Sequence, residues 1–303
     1  MADQIIVNDV GPRDGLQNQA RVLSPDQRVQ LVKALLAAGV RYVEVGAFVS
    51  PKAVPAMAGA ADVLAGLRDE DGEFSVLIPN QKGYELARDA GARAVGMVLY
   101  ATDGMAQANV RMSREQANEA TEAILERARE EGISVMATIS VSFECPFDGP
   151  VDPGIVHATA ERFLQQGVDR FIVADTIGAA NPRQVSAMMR EMVARHGAER
   201  LGCHFHDTRA MGLANIYAAV EAGVRYFDAS IGGLGGCPFA PGASGNVATE
   251  DAVMMLEQMG LVTGVDLPRL LDAANLAREL TGTAPGGRAT PWMQRHFARA
   301  ANA

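Results

Sequence analysis

The stretch Ile5-Ile6-Val7-Asn8-Asp9-Val10-Gly11-Pro12-Arg13-Asp14-Gly15 decides the fold class of this chain. Its first half has the β-rich composition of a strand, and its second half has the glycines and the proline of a loop. An open doubly wound sheet, which is the main alternative, typically carries Gly-x-Gly-x-x-Gly after its first strand. Because Gly-Pro-Arg-Asp-Gly stands there instead, the sequence favours a (β/α)8 barrel, also called a TIM barrel.

Further along the chain, β-rich runs alternate with amphipathic segments that begin with helix-capping residues. Ser24-Pro25-Asp26-Gln27 and Ser113-Arg114-Glu115-Gln116 have the pattern of a capping box, and Asp152-Pro153 and Asn181-Pro182 are typical helix starts. Eight βα units in about 260 residues is the count expected of a closed barrel. The predicted strands are 5–10, 42–48, 74–78, 94–100, 134–141, 170–175, 201–206 and 226–231.

The composition fits one large domain. The chain has 303 residues, of which 48% are hydrophobic, enough for the core of a barrel. We expect a single catalytic domain over residues 1–303, with the barrel spanning about 4–280. A C-terminal tail without hydrophobic periodicity is predicted over about residues 281–303.

Charge and cysteine content exclude several classes of protein. The net charge is −9 and no basic stripe is present, so we expect no nucleic-acid partner. No run of about 18 apolar residues occurs, so we expect no membrane span. The three cysteines show no CxxC spacing, and the N-terminus lacks the pattern of a signal peptide. The sequence therefore predicts a soluble protein of the cytoplasm.

Polar side chains that suit a metal follow three of the predicted strands. His204 and His206 close the seventh strand, and their spacing of two places both imidazoles on one face. Asp14 follows the first strand and Asn246 follows the eighth, and active sites of barrels lie at the carboxyl ends of the strands. Taken singly, the histidines are compatible with an ordinary strand end, Asp14 with a turn and Asn246 with a helix cap. Their convergence predicts a metal site.

The predicted ligand set is one carboxylate, two imidazoles and one amide. A mixture of oxygen and nitrogen ligands without thiolates favours Mg²⁺ or Mn²⁺, with zinc as the alternative.

Other reactive groups are expected at the same mouth. Arg13 follows the first strand and Asp175 ends the sixth. Glu44 lies inside the second strand, where a charge is costly unless it is paired, so a structural ion pair with Arg13 and a catalytic role are both open. Cys237 lies in the glycine-rich loop 232–245, which we interpret as a mobile lid that delivers the thiol. The alternative is that Cys237 is a packing residue.

Three longer stretches resemble one known family. They are Val-Gly-Pro-Arg-Asp-Gly-Leu-Gln-Asn at 10–18, Phe-Val-Ser-Pro-Lys at 48–52, and Gly-Leu-Gly-Gly-Cys-Pro-Phe-Ala-Pro-Gly-Ala-Ser-Gly-Asn at 233–246. On these motifs the chain resembles the 3-hydroxy-3-methylglutaryl-CoA lyases, which are barrel metallolyases related to the isopropylmalate, citramalate and homocitrate synthases. The third stretch is the lyase signature, because the synthases generally lack its cysteine.

The resemblance implies a metal centre and its partners. Asp14, His204, His206 and Asn246 would bind one Mg²⁺ or Mn²⁺ per subunit, the substrate would be an acyl-CoA, and the protein would be a homodimer. Roles in leucine degradation and ketone body metabolism are implied in the same way.

The resemblance also implies a reaction. 3-Hydroxy-3-methylglutaryl-CoA would be cleaved to acetyl-CoA and acetoacetate in a retro-Claisen step. Cys237 would be the catalytic thiol that protonates carbon, and Arg13 would stabilise the enolate. Glu44 and Asp175 would support them as acidic residues, and His204 or an acidic neighbour would act as the base.

Two departures from the family pattern bear on the acyl group. Arg209, Ala210 and Met211 stand where Tyr-Gly-Gln is usual, and Glu144 stands where a small residue is usual. Three alternatives to the lyase therefore stay open. They are a lyase for a related ester of the citramalyl-CoA type, a Claisen-type synthase, and a metal-binding barrel that has lost activity.

Overall fold

Eight parallel strands close into a barrel, so the predicted (β/α)8 fold is confirmed. The computed structural model describes residues 3–236 and 245–300. Each barrel strand pairs with its neighbours along the chain, and the last pairs with the first. The strands are β1 (Ile6–Asp9), β2 (Tyr42–Ala47), β3 (Glu73–Leu77), β4 (Ala94–Tyr100), β5 (Ser134–Ser140), β6 (Arg170–Asp175), β7 (Leu201–Phe205) and β8 (Tyr226–Ala229).

Helices cover the outside of the barrel. The capping boxes predicted at Ser24 and Ser113 are both present, and Asp152 and Asn181 cap the helices predicted to follow them. The helices are α1 (Pro25–Ala37), α2 (Ala60–Gly66), α3 (Gln81–Asp89), α4 (Asp103–Val110), α5 (Arg114–Glu130), α6 (Pro153–Gln165), α7 (Pro182–His196), α8 (Gly212–Glu221), α9 (Thr249–Gln258), α10 (Leu267–Thr281) and α11 (Thr290–Ala300).

The core lies between the strands and this helical layer. Leu31 and Leu35 recur one turn apart on α1 and are fully buried, as are Val43 and Val45 of the neighbouring β2. Strands of a parallel barrel are buried on both faces, which explains why the predicted strands read as nearly continuous apolar runs.

Short turns shape the carboxyl end of the barrel. After β1, residues Gly11–Gly15 form a π-helical turn, in which the amides of residues 13–15 all donate to the carbonyl oxygen of Val10. After β8, residues Ile231–Gly233 form a 3₁₀ turn. The chain then returns to the end of β7, where His206 and Asn246 form an antiparallel bridge. These connections bring distant segments to one mouth.

The structure differs from the tail predicted after residue 281. Residues 290–300 form α11, and its Met293 is fully buried. The preceding segment is fixed to α9, because the amide of Gly287 donates to Glu250 and the amides of residues 288 and 289 donate to Asp251. The prediction missed these contacts because they are made by backbone amides, which hydrophobic periodicity does not report. Within the described ranges, no helix combines the length and the apolar composition needed to cross a membrane.

Candidate metal centre

Three of the predicted ligands meet at the carboxyl end of the barrel. Each of Asp14, His204 and His206 offers one ligand atom, and these three atoms lie within 4.8 Å of one another. The two imidazole rings stand side by side with their centroids 5.2 Å apart, as expected from a spacing of two at a strand end. Both rings are buried. In the part of the chain that the structure describes, no other group of three or more His, Cys, Asp or Glu residues is arranged to hold a metal ion.

The ring of His204 is oriented by a carboxylate in β8. Its Nδ1 lies 3.2 Å from Oδ2 of Asp228, whose other oxygen accepts a hydrogen bond of 2.8 Å from Asn8. This contact favours a proton on Nδ1 and presents Nε2 to the site, which is the usual arrangement behind a metal-bound histidine. Burial opposes the charged ring, but Asp228 and Asp14 outweigh it and raise the pKa of His204.

Two buried polar atoms next to this group have no hydrogen-bond partner among the residues that the structure describes. Asn246 donates from Nδ2 to Asp14, at 2.7 Å, and to the carbonyl oxygen of Leu234, but its Oδ1 accepts nothing among the described residues. Nδ1 of His206 is likewise unpaired. A buried polar group without a partner costs roughly 1–3 kcal/mol, and two such atoms beside Asp14 and His204 suit a site that a ligand completes. Carboxylate oxygen, amide oxygen and imidazole nitrogen together suit a divalent cation. The residues present therefore fit a Mg²⁺ or Mn²⁺ ion.

Arg13 places a permanent positive charge beside the first ligand. Its Nη1 donates to Oδ1 of Asp14 at 2.8 Å, and its Nε donates to Oε2 of Glu44 at 2.5 Å. Burial opposes ionisation of Asp14, but Arg13 and the two histidines outweigh it and lower its pKa to about 2. Asp14 is thus a carboxylate at any working pH, as a ligand for a hard cation must be.

The structure contains the Arg13–Glu44 ion pair that the sequence left as one of two alternatives. Glu44 is buried, and burial raises its pKa, although Arg13 offsets part of the effect. The pair also fixes the guanidinium, because two of its nitrogens are bonded to carboxylates while Nη2 has no partner among the described residues. Nη2 is the atom with which Arg13 can hold a ligand.

Asp175 stands beside this group rather than within it. Its oxygens accept the backbone amides of Ala179 and Ala180 at 2.7 and 3.0 Å, so the carboxylate shapes the loop after β6. Burial raises the pKa of Asp175 to about 6. Arg209, one of the departures from the family pattern, donates to the carbonyl oxygens of Gly178 and Ala179 and braces the same loop.

Cys237 lies outside the described residues, as does the rest of 237–244. The described residues on either side of this segment are in close backbone contact. A Cβ on Gly245 would lie 2.3 Å from the carbonyl carbon of Gly235, so only glycine fits at 245. Gly235 and Gly245, which are described on either side of 237–244, therefore both lie next to Asn246.

Sequence reasoning missed Asp228 as a functional residue. The sequence did contain a signal, because Asp228 is a charged residue between Phe227 and Ala229 in an otherwise apolar strand. Glu44 stands out in the same way in β2. A buried charge in a strand is costly unless it is paired, but the sequence does not reveal the partner. His204 is 24 positions away and becomes a neighbour of Asp228 only when β7 pairs with β8.

Comparison with known proteins finds a matching family and relatives of similar sequence. The family profile described as HMGL-like matches residues 4–277. The chain is 42% identical over 285 residues to the (R)-citramalyl-CoA lyase of Chloroflexus aurantiacus, covering 90% of each protein. It is 41% identical over 282 residues to the 3-hydroxy-3-isohexenylglutaryl-CoA/hydroxy-methylglutaryl-CoA lyase of Pseudomonas aeruginosa, covering 93% of this chain and 94% of that protein.

A solved structure of similar sequence has a ligand in place. The structure of an HMG-CoA lyase from Acinetobacter baumannii in complex with coenzyme A and 3-methylmalate superposes with a TM-score of 0.90. It is 38% identical to this chain, and the match covers 95% of both.

Proposed function

The chain belongs to the HMGL-like family, and on that premise we propose that it is a divalent-metal-dependent lyase that cleaves 3-hydroxy-3-methylglutaryl-CoA to acetyl-CoA and acetoacetate. One observation carries the proposal. The buried His204 and His206 meet the half-buried Asp14, and Oδ1 of Asn246, without a partner among the described residues, lies beside them. Arg13 is bonded directly to Asp14. A cation site and a fixed guanidinium thus share one mouth.

The four ligands have separate tasks. Asp14 supplies a negative charge, His204 and His206 supply ring nitrogens, and Asn246 supplies an amide oxygen. When bound, a divalent ion polarises oxygen atoms of the substrate and lowers the cost of ionising a hydroxyl group. Asp228 contacts Nδ1 of His204 and thereby orients the ring so that Nε2 faces the proposed metal site.

Arg13 stabilises the charge that develops on the thioester. Cleavage of the bond between C2 and C3 leaves an electron pair that is shared with the thioester oxygen as an enolate. Nη2 of Arg13 is available to hold that oxygen, because its other contacts to Asp14 and Glu44 fix the plane of the guanidinium. A donor placed in advance where charge develops costs no reorganisation during the reaction.

Two protons move in the proposed reaction. The tertiary hydroxyl gives up its proton to a base, for which the sequence offers His204 or an acidic neighbour. Asp175 suits the task, because burial raises its pKa to about 6 and a group that titrates near the working pH exchanges protons efficiently. The enolate carbon then receives a proton from the thiol of Cys237.

A second substrate is favoured by a specific observation. The relative from Chloroflexus aurantiacus, a citramalyl-CoA lyase, is as similar in sequence as the relative from Pseudomonas aeruginosa. Two positions differ from the family pattern: Glu144 lies in a short antiparallel hairpin after β5, and Arg209 lies in the turn after β7. Changes there are expected to alter which ester is cleaved without loss of the metal, because neither residue belongs to the metal group.

One assay separates these functions. Protein treated with a chelator is incubated with 3-hydroxy-3-methylglutaryl-CoA or with citramalyl-CoA, with added Mg²⁺, Mn²⁺ or Zn²⁺ or with none. We expect no cleavage without metal, recovery with Mg²⁺ or Mn²⁺, and the higher kcat/KM on 3-hydroxy-3-methylglutaryl-CoA. A preference for citramalyl-CoA would support the second substrate. Cleavage of neither ester, with Mn²⁺ binding retained, would exclude the lyase proposal and leave an inactive metal-binding barrel.

The acyl-CoA substrate and the homodimer remain proposals of the same kind. The solved relative with coenzyme A supports an acyl-CoA ligand. Sedimentation of the protein with and without the CoA ester tests the dimer.

A further inference from the structure

Arg28 is a buried charge that the metal centre does not use. It lies on α1 and is fully buried. Its Nη1 donates to the carbonyl oxygen of Ala58 and its Nη2 to that of Val45, each at 3.0 Å, while its Nε has no partner. No described carboxylate neutralises it, and burial lowers its pKa to about 10. A charge buried without a counter-ion is costly, so Arg28 requires a better explanation than filling space.

The carbonyl that Arg28 binds belongs to a β-bulge in β2. Glu44 pairs with Ser75 of β3, and Gly46 pairs with the very next residue, Val76. Val45 is therefore the extra residue and has no partner in the ladder. Bulges bend a strand, re-aim its side chains and occur frequently beside active sites.

The bulge sends Glu44 and Gly46 to opposite faces of the sheet, although residues two apart in a regular strand face the same side. Glu44 points into the barrel, where its Oε1 lies 3.3 Å from the Cβ position of Gly96 in β4, two strands away. A Cβ on Gly46 would instead point outward, 2.6 Å from Nη2 of Arg28. Glycine at this position leaves room for the guanidinium.

We propose that Arg28 is a positioning residue that holds the bulge at Val45 and thereby keeps Glu44 aimed at Arg13. The chain of contacts is short. Arg28 bonds the carbonyl oxygen of Val45 in the bulge and is itself held by that of Ala58, before α2. Glu44 bonds Nε of Arg13 at 2.5 Å, and the same guanidinium bonds Asp14. The effect on turnover rests on the proposed lyase function, whereas the effect on β2 does not.

Four variants test the inference. Arg28→Met keeps the bulk and removes the donors, and Arg28→Lys keeps the charge but loses the planar fork that reaches two carbonyls. Gly46→Ala leaves Arg28 in place and pushes its Nη2 away from Val45. Leu35→Ala is the matched control, because Leu35 is also fully buried on α1 but its side chain has no donor for the carbonyl oxygens that Arg28 binds.

Hydrogen–deuterium exchange measures the protection of the amides around the bulge directly and does not depend on enzymatic activity. We expect amides of residues 42–48 to exchange faster in Arg28→Met and Gly46→Ala than in wild type, and to be unchanged in Leu35→Ala at matched global stability. Unchanged exchange in both bulge variants would overturn the inference, whether or not the protein is a lyase. If the amides of residues 42–48 exchange faster in the two bulge variants but the wild-type protein cleaves neither ester, the inference about Arg28 is supported and the proposed lyase function is not.

Turnover shows whether the bulge acts through Glu44. Since a displacement of about 1 Å at a catalytic group can cost 10²-fold in rate, we expect Arg28→Met to lose about 10²-fold in kcat with KM within about twofold. Arg28→Lys should recover part of the loss, and Leu35→Ala should lose only thermal stability. The double variant Arg28→Met/Glu44→Gln should be no slower than Glu44→Gln alone. Losses that multiply in the double variant, or a kcat in Arg28→Met equal to that of Leu35→Ala, would overturn the positioning role.

Discussion

Two groups of carboxylates with little or no exposure lie near the carboxyl end of the barrel, and they are held in opposite ways. Asp14 and Glu44 form the first group, and both bond the guanidinium of Arg13. Asp9 and Glu250 form the second group, and no cation is paired with either among the described residues. Glu44, Asp9 and Glu250 are buried and the side chain of Asp14 is 15% exposed, so exposure alone does not distinguish the two groups.

The second group is satisfied by uncharged donors. Asp9 accepts the amide of Gly11 at 2.8 Å and the hydroxyl of Thr249 at 2.6 Å, and Glu250 is held in the same manner by two backbone amides. These bonds fix the turns that begin the loops after β1 and β8. Burial raises the pKa of Asp9 to about 7, with only partial compensation from its hydrogen bonds.

The comparison shows that the partner, and not the depth, decides what a buried carboxylate can do. Arg13 and the histidines lower the pKa of Asp14 to about 2, so Asp14 carries a full charge for a cation. Asp9 has no such neighbour and shapes backbone instead. The two roles make different predictions for the same change of carboxylate to amide.

The largest effect is expected from Asp14→Asn. The substitution removes the one negative charge of the proposed ligand set while it preserves shape. Changes to partners behind a metal ligand typically cost 10- to 100-fold in affinity, so loss of the charged ligand itself should weaken Mn²⁺ binding by more than about 100-fold and abolish cleavage. Calorimetric titration with Mn²⁺ measures the metal affinity, and the CoA-ester assay measures cleavage. Near-normal Mn²⁺ affinity would show that the metal lies elsewhere.

The next effect is expected from Arg13→Lys. Lysine keeps the charge on a single nitrogen, but it loses the planar fork in which two nitrogens bond Glu44 and Asp14 and a third stays available for an oxygen. Because the lost contact strengthens as the enolate forms, kcat should fall by about 10²–10³-fold with little change in KM. Steady-state kinetics on 3-hydroxy-3-methylglutaryl-CoA measures both constants. If only KM rose, Arg13 would be a binding residue and the enolate would need another stabiliser.

A smaller effect is expected from Asp228→Asn. The change removes the carboxylate that orients His204, and such partners are typically worth about 10–100-fold in metal affinity. Asn8→Ala is the control, since it removes the other partner of Asp228 but leaves the carboxylate on the ring. Mn²⁺ titration of both variants should show the larger loss in Asp228→Asn. Equal affinities would mean that packing alone orients His204.

The smallest effect is expected from Asp9→Asn, and it concerns stability against pH. The pKa of Asp9 in the folded protein, about 7, lies above the ordinary value of 3.8, so the folded state holds the proton more tightly. The contribution of Asp9 to the free energy of unfolding is fully present below about pH 4 and is lost as the pH rises through about 7. The free energy of unfolding should therefore decline less steeply between these values in Asp9→Asn, with Mn²⁺ binding retained. Denaturant titrations across this range measure the slope, and a slope equal to that of wild type would contradict the prediction.

Much of the fold followed from local patterns. The fourth and sixth strands have the predicted bounds, and both predicted capping boxes are present. The eighth strand ends at Ala229 instead of residue 231, because the chain turns there through Gly232 at a φ of 65°. Strand ends of this kind depend on the loop that follows, and hydrophobic periodicity does not report them.

The sequence by itself determined the parts of the site that depend on short spacing. His204 and His206 share a face because a strand repeats every two residues, and Arg13 and Asp14 follow a strand whose end opens onto the mouth. Patterns of this kind are properties of a few neighbouring residues, so they can be recognised before the chain is folded.

Only the tertiary structure decided which groups face one another. Asp228 meets His204, Arg28 reaches the bulge beside Glu44, and Thr249 bonds Asp9 from 240 positions away. Each of these contacts exists because elements meet in the folded barrel: β7 pairs with β8, α1 packs on β2, and α9 packs on β1. The charge that a buried carboxylate retains depends on those neighbours, and no spacing along the chain encodes them.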